Sequence, residues 1–204
     1  MKDCCDNNSD IDALRERQSG TLKIVLAINA VMFVVIAAAA FYADSSALLA
    51  DSLDNFGDAF TYALSLWAVA LGAGAKARVA LVKGILILLA ALAILAQIVY
   101  RLMNPTVPLF EVMGIFSLLA LVANGTCLAL LWRHKSEDVN MSSVWACSRN
   151  DIVANISVFV AAGAVWLTGS NWPDLLVAAF LVVFLLQSAR SVLSSAHAEI
   201  KSAG

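Results

Sequence analysis

The 204 residues are 61% hydrophobic with a mean hydropathy of +0.84, and only 14% are charged. Soluble domains run near ~45–50% apolar and ~25% charged, so this composition excludes an ordinary water-soluble fold and points to one integral domain in a lipid bilayer. The net charge of -2, with no basic stripe along the chain, excludes nucleic acid as a partner.

Residues 1–20 are polar, carry Cys4 and Cys5, and lack the short apolar core of a signal peptide, so they are expected to stay in the cytosol. Residues 21–43 are apolar apart from Lys23 and Asn29 and are long enough to span a hydrocarbon core of ~30 Å. A tight turn at Asp44 and Ser45 opens a second span that continues to about residue 71 and is unlike the others. Asp51, Asp54 and Asp58 follow one another on a single helical face, with Cβ atoms roughly 5–6 Å apart per step. Each acid costs on the order of 2.5–3.5 kcal/mol at a membrane centre, while a Leu, Ile, Phe or Val returns only about 0.3–0.6. This helix therefore needs partners, either a bundle interior or a water-filled cavity.

Gly72, Gly74, Lys76 and Arg78 mark a short basic loop, after which a third span covers about residues 79–102. Asn104, Pro105 and Pro108 form a turn that no helix would tolerate. A fourth span covers about 110–132, a charged connector 133–138, a fifth span 143–168, a turn 169–173 and a sixth span about 175–193. The expected fold is an all-α membrane protein of six transmembrane helices. It has a cytosolic tail over 1–20, a transmembrane domain over 21–196 and a short cytosolic tail over 197–204.

With both termini inside, Lys2, Arg15, Arg17, Lys23, Lys76, Arg78, Lys83, Arg133, Lys135, Arg190 and Lys201 fall on or near the cytosolic side. Arg101 is then outside and Arg149 lies within the fifth span. All three prolines land in the two outer loops, and Tyr42, Tyr100, Trp132, Trp145, Trp166 and Trp172 sit where an aromatic belt belongs. The plasma membrane, or the inner membrane of a bacterium, is the expected location.

The fifth span repeats the logic of the second, because Cys147, Asp151 and Asn155 share one face. If that face meets Asp54 and Asp58, then Asp54, Asp58, Cys147 and Asp151 converge as two pairs, each one turn apart, which is the number of donors a tetrahedral metal site uses. A thiolate among carboxylates favours zinc, cadmium or cobalt over magnesium or calcium. Three carboxylates and a thiolate carry more negative charge than a divalent ion cancels, so the apo site should hold protons that the metal displaces. That linkage is what a cation–proton antiporter requires.

Asp51, Asn155 and Asn29 are candidates for supporting or proton-linked roles. For Asp51 the plainer alternative is capping or pairing with a neighbouring helix, and for Asn29, Asn124 and Asn155 it is interhelical hydrogen bonding. Cys147 has its own plainer alternative as a small packing residue. Cys4 and Cys5, flanked by Asp3 and Asp6, could capture metal at the cytosolic mouth or be silent tail residues. The cysteines do not have the spacing of a disulfide framework. His134 and His197 are expected in solvent-exposed loops. No Ser/His/Asp arrangement, phosphate loop or dinucleotide fingerprint occurs, so neither an enzyme nor a prosthetic group is expected.

Residues 45–59 resemble the second-helix signature of the cation diffusion facilitator family, which reads like S-L-A-L-L-A-D-S-L-H-N-L-G-D-A. Asp54 takes the position usually held by His or Asp, and Asp58 that of the metal-binding Asp. The fifth-helix signature H-x-x-x-D is matched by residues 147–151 with Cys147 in the His position. The resemblance covers about residues 10–200. It implies a six-helix carrier that exports divalent cations from the cytosol in exchange for protons, usually as a homodimer. No histidine remains in the quartet, so cadmium and cobalt stay open beside zinc. Many relatives carry a cytosolic C-terminal metal-binding domain that supports dimerisation; with this chain stopping near Gly204, a dimer is expected either to rest on membrane contacts or to be lost. A cation channel and a membrane metal sensor that does not transport are the rival readings.

Overall fold

The computed structural model describes the backbone over residues 6–68, 73–132 and 139–202. The described residues form six helices: α1 (Asp6–Ala43), α2 (Ser46–Ala68), α3 (Ala73–Met103), α4 (Phe110–Trp132), α5 (Val139–Thr168) and α6 (Trp172–Ser202). No strand occurs among the described residues.

The helices are sorted by face. On α4 the inward stripe is Met113, Ser117, Ala120, Asn124, Cys127 and Leu131, a spacing of three and four that tracks one side of a helix. Its outward side shows Ile115, Leu118, Leu119 and Val122. A helix with apolar residues outside and polar ones inside suits lipid as the outer solvent. Ser19–Ala43, Gly84–Met103, Phe110–Trp132, Asn150–Thr168 and Trp172–Ser194 are each long and apolar enough to cross a membrane. The acidic α2 is not among them. Tyr42, Tyr100, Trp132, Trp166 and Trp172 are all exposed near helix ends, as an interfacial belt requires. Trp145 lies outside the described side chains.

Close helix approach comes from small residues. Ala39, Ala40 and Ala43 of α1 share a buried cluster with Ala47 and Ala50 of α2, which lets the two backbones pack closely in the way membrane bundles do. Gly84 does the same between α3 and α6, where an added Cβ would lie 2.6 Å from the Leu193 side chain. The acidic helix has the most company: α2 packs against α1, α3, α5 and α6. Surrounding it with protein is how the fold keeps its carboxylates away from lipid.

One end of the bundle is tied by hydrogen bonds. Asp44 turns the chain between α1 and α2 with a φ of 59°, a left-handed conformation that Asp tolerates better than most residues. Ser45 Oγ donates to Asp174 Oδ1 (2.6 Å), and the amides of Ser46 and Ala47 donate to Asp174 Oδ2 and Oδ1 (2.8 and 3.1 Å). Ser45 Oγ also accepts the Leu48 amide (3.0 Å), so the first turn of α2 is capped twice, once by its own serine and once by α6. Arg101 pairs with Asp44 and donates to Thr106 Oγ1, while the Leu109 amide donates to the Ala43 carbonyl (3.0 Å). These contacts draw the α1–α2 turn, the α3–α4 loop and the start of α6 together.

The helices outrun the expected spans. α1 starts at Asp6 and not at 21, and α6 continues to Ser202, because the flanking segments contain Ala, Leu, Glu, Arg and Gln, all good helix formers, and no Pro. Lys76 and Arg78 belong to α3 and not to a basic loop. Pro173 lies in the first turn of α6, where its missing N–H costs no hydrogen bond. His197 is exposed as expected but is helical. His134 and the connector 133–138 lie outside the described residues.

Candidate cation site

Measured along α2 from Ser46, Asp54 and Asp58 lie about 12 and 18 Å below the tied end. Both line a cavity of about 110 Å³, to which α5 contributes Asn150 and Asp151 and α6 contributes Phe180, Phe184 and Ser188. Asp151 is buried, whereas Asp54 and Asp58 are half-buried against the cavity. The Asp54 and Asp151 side chains stand within hydrogen-bonding reach of each other in this cavity, so the acids of α2 and α5 meet there. Two carboxyl groups can approach so closely only when a proton or a cation offsets their repulsion. Tyr62, one turn beyond, donates its hydroxyl to Asp58 Oδ2 (3.2 Å).

Asp54, Asp58 and Asp151 therefore share one cavity. Cys147 lies on the α5 backbone one turn before Asp151, and its side chain is outside the described residues, as are Cys4 and Cys5. Among the described residues, no three of His, Cys, Asp and Glu stand close enough as they are to hold a metal ion.

Asp51 does not line that cavity. It is 1% exposed and belongs to a polar ladder across three helices. Asn155 Nδ2 on α5 donates to Asp51 Oδ1 (2.7 Å), and Asn124 Nδ2 on α4 donates to Asn155 Oδ1 (2.9 Å). Asn55, an α2 residue that sequence reasoning passed over, donates its Nδ2 to the Asp51 carbonyl (2.9 Å). Asp51 Oδ2 and Asn124 Oδ1 have no hydrogen-bond partner. Asn29 is separate again: its Nδ2 donates to the Val25 carbonyl (2.9 Å) and approaches Cys127 Sγ (3.9 Å).

Sequence reasoning also missed Tyr62, Asn150 and Asp174. Tyr62 could have been found, because it continues the spacing of Asp54 and Asp58 by four residues. Asp174 could not, since the residues it caps lie 127–129 positions away.

A bundle with apolar outer faces, whose acids from two helices meet in an interior cavity, has the make-up of a helical membrane transporter for positively charged cargo. The comparison with known families agrees: residues 22–200 match the cation efflux transmembrane domain, and the chain belongs to that family. It is an integral membrane protein of the cation efflux transporters. No curated protein matches the chain.

Proposed function

We propose that the protein exports a divalent heavy-metal cation in exchange for protons by alternating access. Zinc is the first choice of cargo, with cadmium and cobalt as alternatives. Asp54, Asp58 and Asp151 supply carboxylate ligands and Cys147 the thiolate. The observation that carries this reading is the single cavity that Asp54 and Asp58 of α2 line together with Asp151 of α5. A proton held between two acids occupies the place that a cation's charge would take, so binding metal there expels it. Opening the same groups to the other side lets protons return. Asp51, steadied by Asn155, stands one turn away as a supporting group.

The basic residues support an orientation with both termini and the 133–138 connector in the cytosol. The tied end around Asp174 then faces outward, and the cavity opens below it toward the cytosolic half. A homodimer in the plasma membrane is the assembly we propose.

The test is uptake into proteoliposomes of zinc, cadmium, cobalt and manganese in parallel, with and without a proton gradient. Saturable flux that follows the proton gradient and is lost in Asp58→Ala is the expected result. Ohmic flux indifferent to the gradient would identify a channel. Metal binding without flux would identify a sensor.

A further inference from the structure

The ladder of Asp51, Asn155 and Asn124 joins α2, α5 and α4 through side chains that are 1%, 0% and 2% exposed, so a bond lost there is not made good by bulk water. Its order is fixed. Asp51 Oδ1 accepts from Asn155 Nδ2 (2.7 Å), which leaves Asn155 Oδ1 facing α4, where Asn124 Nδ2 donates to it (2.9 Å). Were the Asn155 amide turned over, oxygen would face oxygen at one joint and nitrogen would face nitrogen at the other. Asn124 therefore holds Asn155 in the orientation that reaches Asp51. Asp51 Oδ2 and Asn124 Oδ1 have no partner, and a half-satisfied polar network is a costlier way to join helices than packed apolar side chains. What the ladder supplies is position.

That position is next to the acids of the cavity. Asp51 precedes Asp54 by three residues and Asn155 follows Asp151 by four, a rise of about 4.5 Å along α2 and about 6 Å along α5. A helix is stiff over one turn, so fixing α2 against α5 at the ladder fixes the gap between Asp54 and Asp151. Little else does this. α2 meets α5 more sparingly than it meets α1, α3 or α6, and beside the acids the two helices bring only small side chains, Ala50 and Ala154, to the cavity wall along with Val153. The carboxylates, for their part, push the two helices apart by repulsion. We infer that Asn155 is a positioning residue of the cation site, held in orientation by Asn124: by binding Asp51 it keeps α2 and α5 at the separation at which Asp54, Asp58 and Asp151 take one ion. Neither asparagine lines the cavity, so both act through the helices and not as ligands.

This inference rests on the reading of those three acids as cation ligands. The experiment is a competitive zinc titration of the purified full-length protein and its variants. Asn155→Leu should raise the zinc Kd about tenfold, the lower end of the cost of losing a partner that orients a metal's ligands. Asn124→Leu should raise it about threefold, the equivalent of one interhelical hydrogen bond, and should add nothing further in the Asn155→Leu background, because its effect passes through Asn155. Asp174→Ala, which loosens the fold at the tied end, should leave the Kd unchanged, whereas a merely structural role for the ladder would make all these variants behave alike. Asn155→Ala serves as the second variant should the leucine form fail to fold. An unchanged Kd in the asparagine variants would overturn the positioning role, as would independent effects of Asn155 and Asn124, or a Kd in Asp174→Ala that rises as much as theirs. Tight binding by the parent and the ladder variants alike would refute this inference alone. A parent that binds none of zinc, cadmium, cobalt and manganese would refute the cation reading and this inference with it.

Discussion

The two halves of α2 put carboxylates to opposite uses. At its start, Asp174 from α6 has both oxygens engaged by three donors, Ser45 Oγ and the amides of Ser46 and Ala47, all closely spaced and fully protein-bound. Two to three turns further in, Asp54 and Asp58 line a cavity, and Asp54 meets another acid, Asp151. The first arrangement spends a carboxylate on holding two helices together. The second keeps carboxylates close to one another, where their repulsion is relieved only by a proton or a cation. A buried acid is thus a structural or a functional feature according to what faces it, and the same helix shows both.

The largest expected effect comes from the cavity half. Asp58→Ala should lower metal flux in proteoliposomes by about 100-fold or more, beyond the roughly 10–100-fold typical of losing a supporting partner, while the protein stays folded. Flux near the parent level would erase the contrast between the two halves. Asp174→Ala should do the reverse, lowering resistance to thermal unfolding by about 2–3 kcal/mol through loss of the cap and unmet buried donors, without changing which metal is preferred. A shift in metal preference would mean that the tied end also belongs to the site.

The polar ladder lies between these extremes. Asn155→Ala should cost about 1–2 kcal/mol in the same unfolding measurement, since it removes the donor to Asp51 Oδ1 and the acceptor for Asn124 together. Asn124→Ala should cost nearer ~0.6 kcal/mol, the usual worth of one interhelical hydrogen bond in a membrane. Equal losses would show that the ladder does not act through Asp51. The smallest effect belongs to Arg101→Ala, whose partner Asp44 is 49% exposed; about 0–1 kcal/mol is expected, shrinking as salt is added.

Much of this architecture is written in local spacing. The bounds of α4, the Asp44 turn and the break at Asn104 to Pro108 follow from runs of apolar residues and from prolines, which act over a few positions. The acids of α2 stood out for the same reason, as charges placed one turn apart in an apolar run. Where α1 begins could not be read that way. Residues 6–20 are too polar for a bilayer, yet their helix propensity carries the helix on, so the span and the helix end in different places. Contacts between distant positions were the least legible. Asn29 reads as a polar interruption in a span, but its neighbour Cys127 is 98 residues away and only the folded bundle supplies it.

The central claim is that Asp54 and Asp151 grip one ion jointly, and the most direct test is a double-mutant cycle read by competitive zinc titration of the purified protein. Asp54→Asn and Asp151→Asn should each weaken binding severely, and the double variant should lose far less than the sum, with a coupling of about 1.5–3 kcal/mol. Losses that simply add would mean that the two acids serve separate purposes.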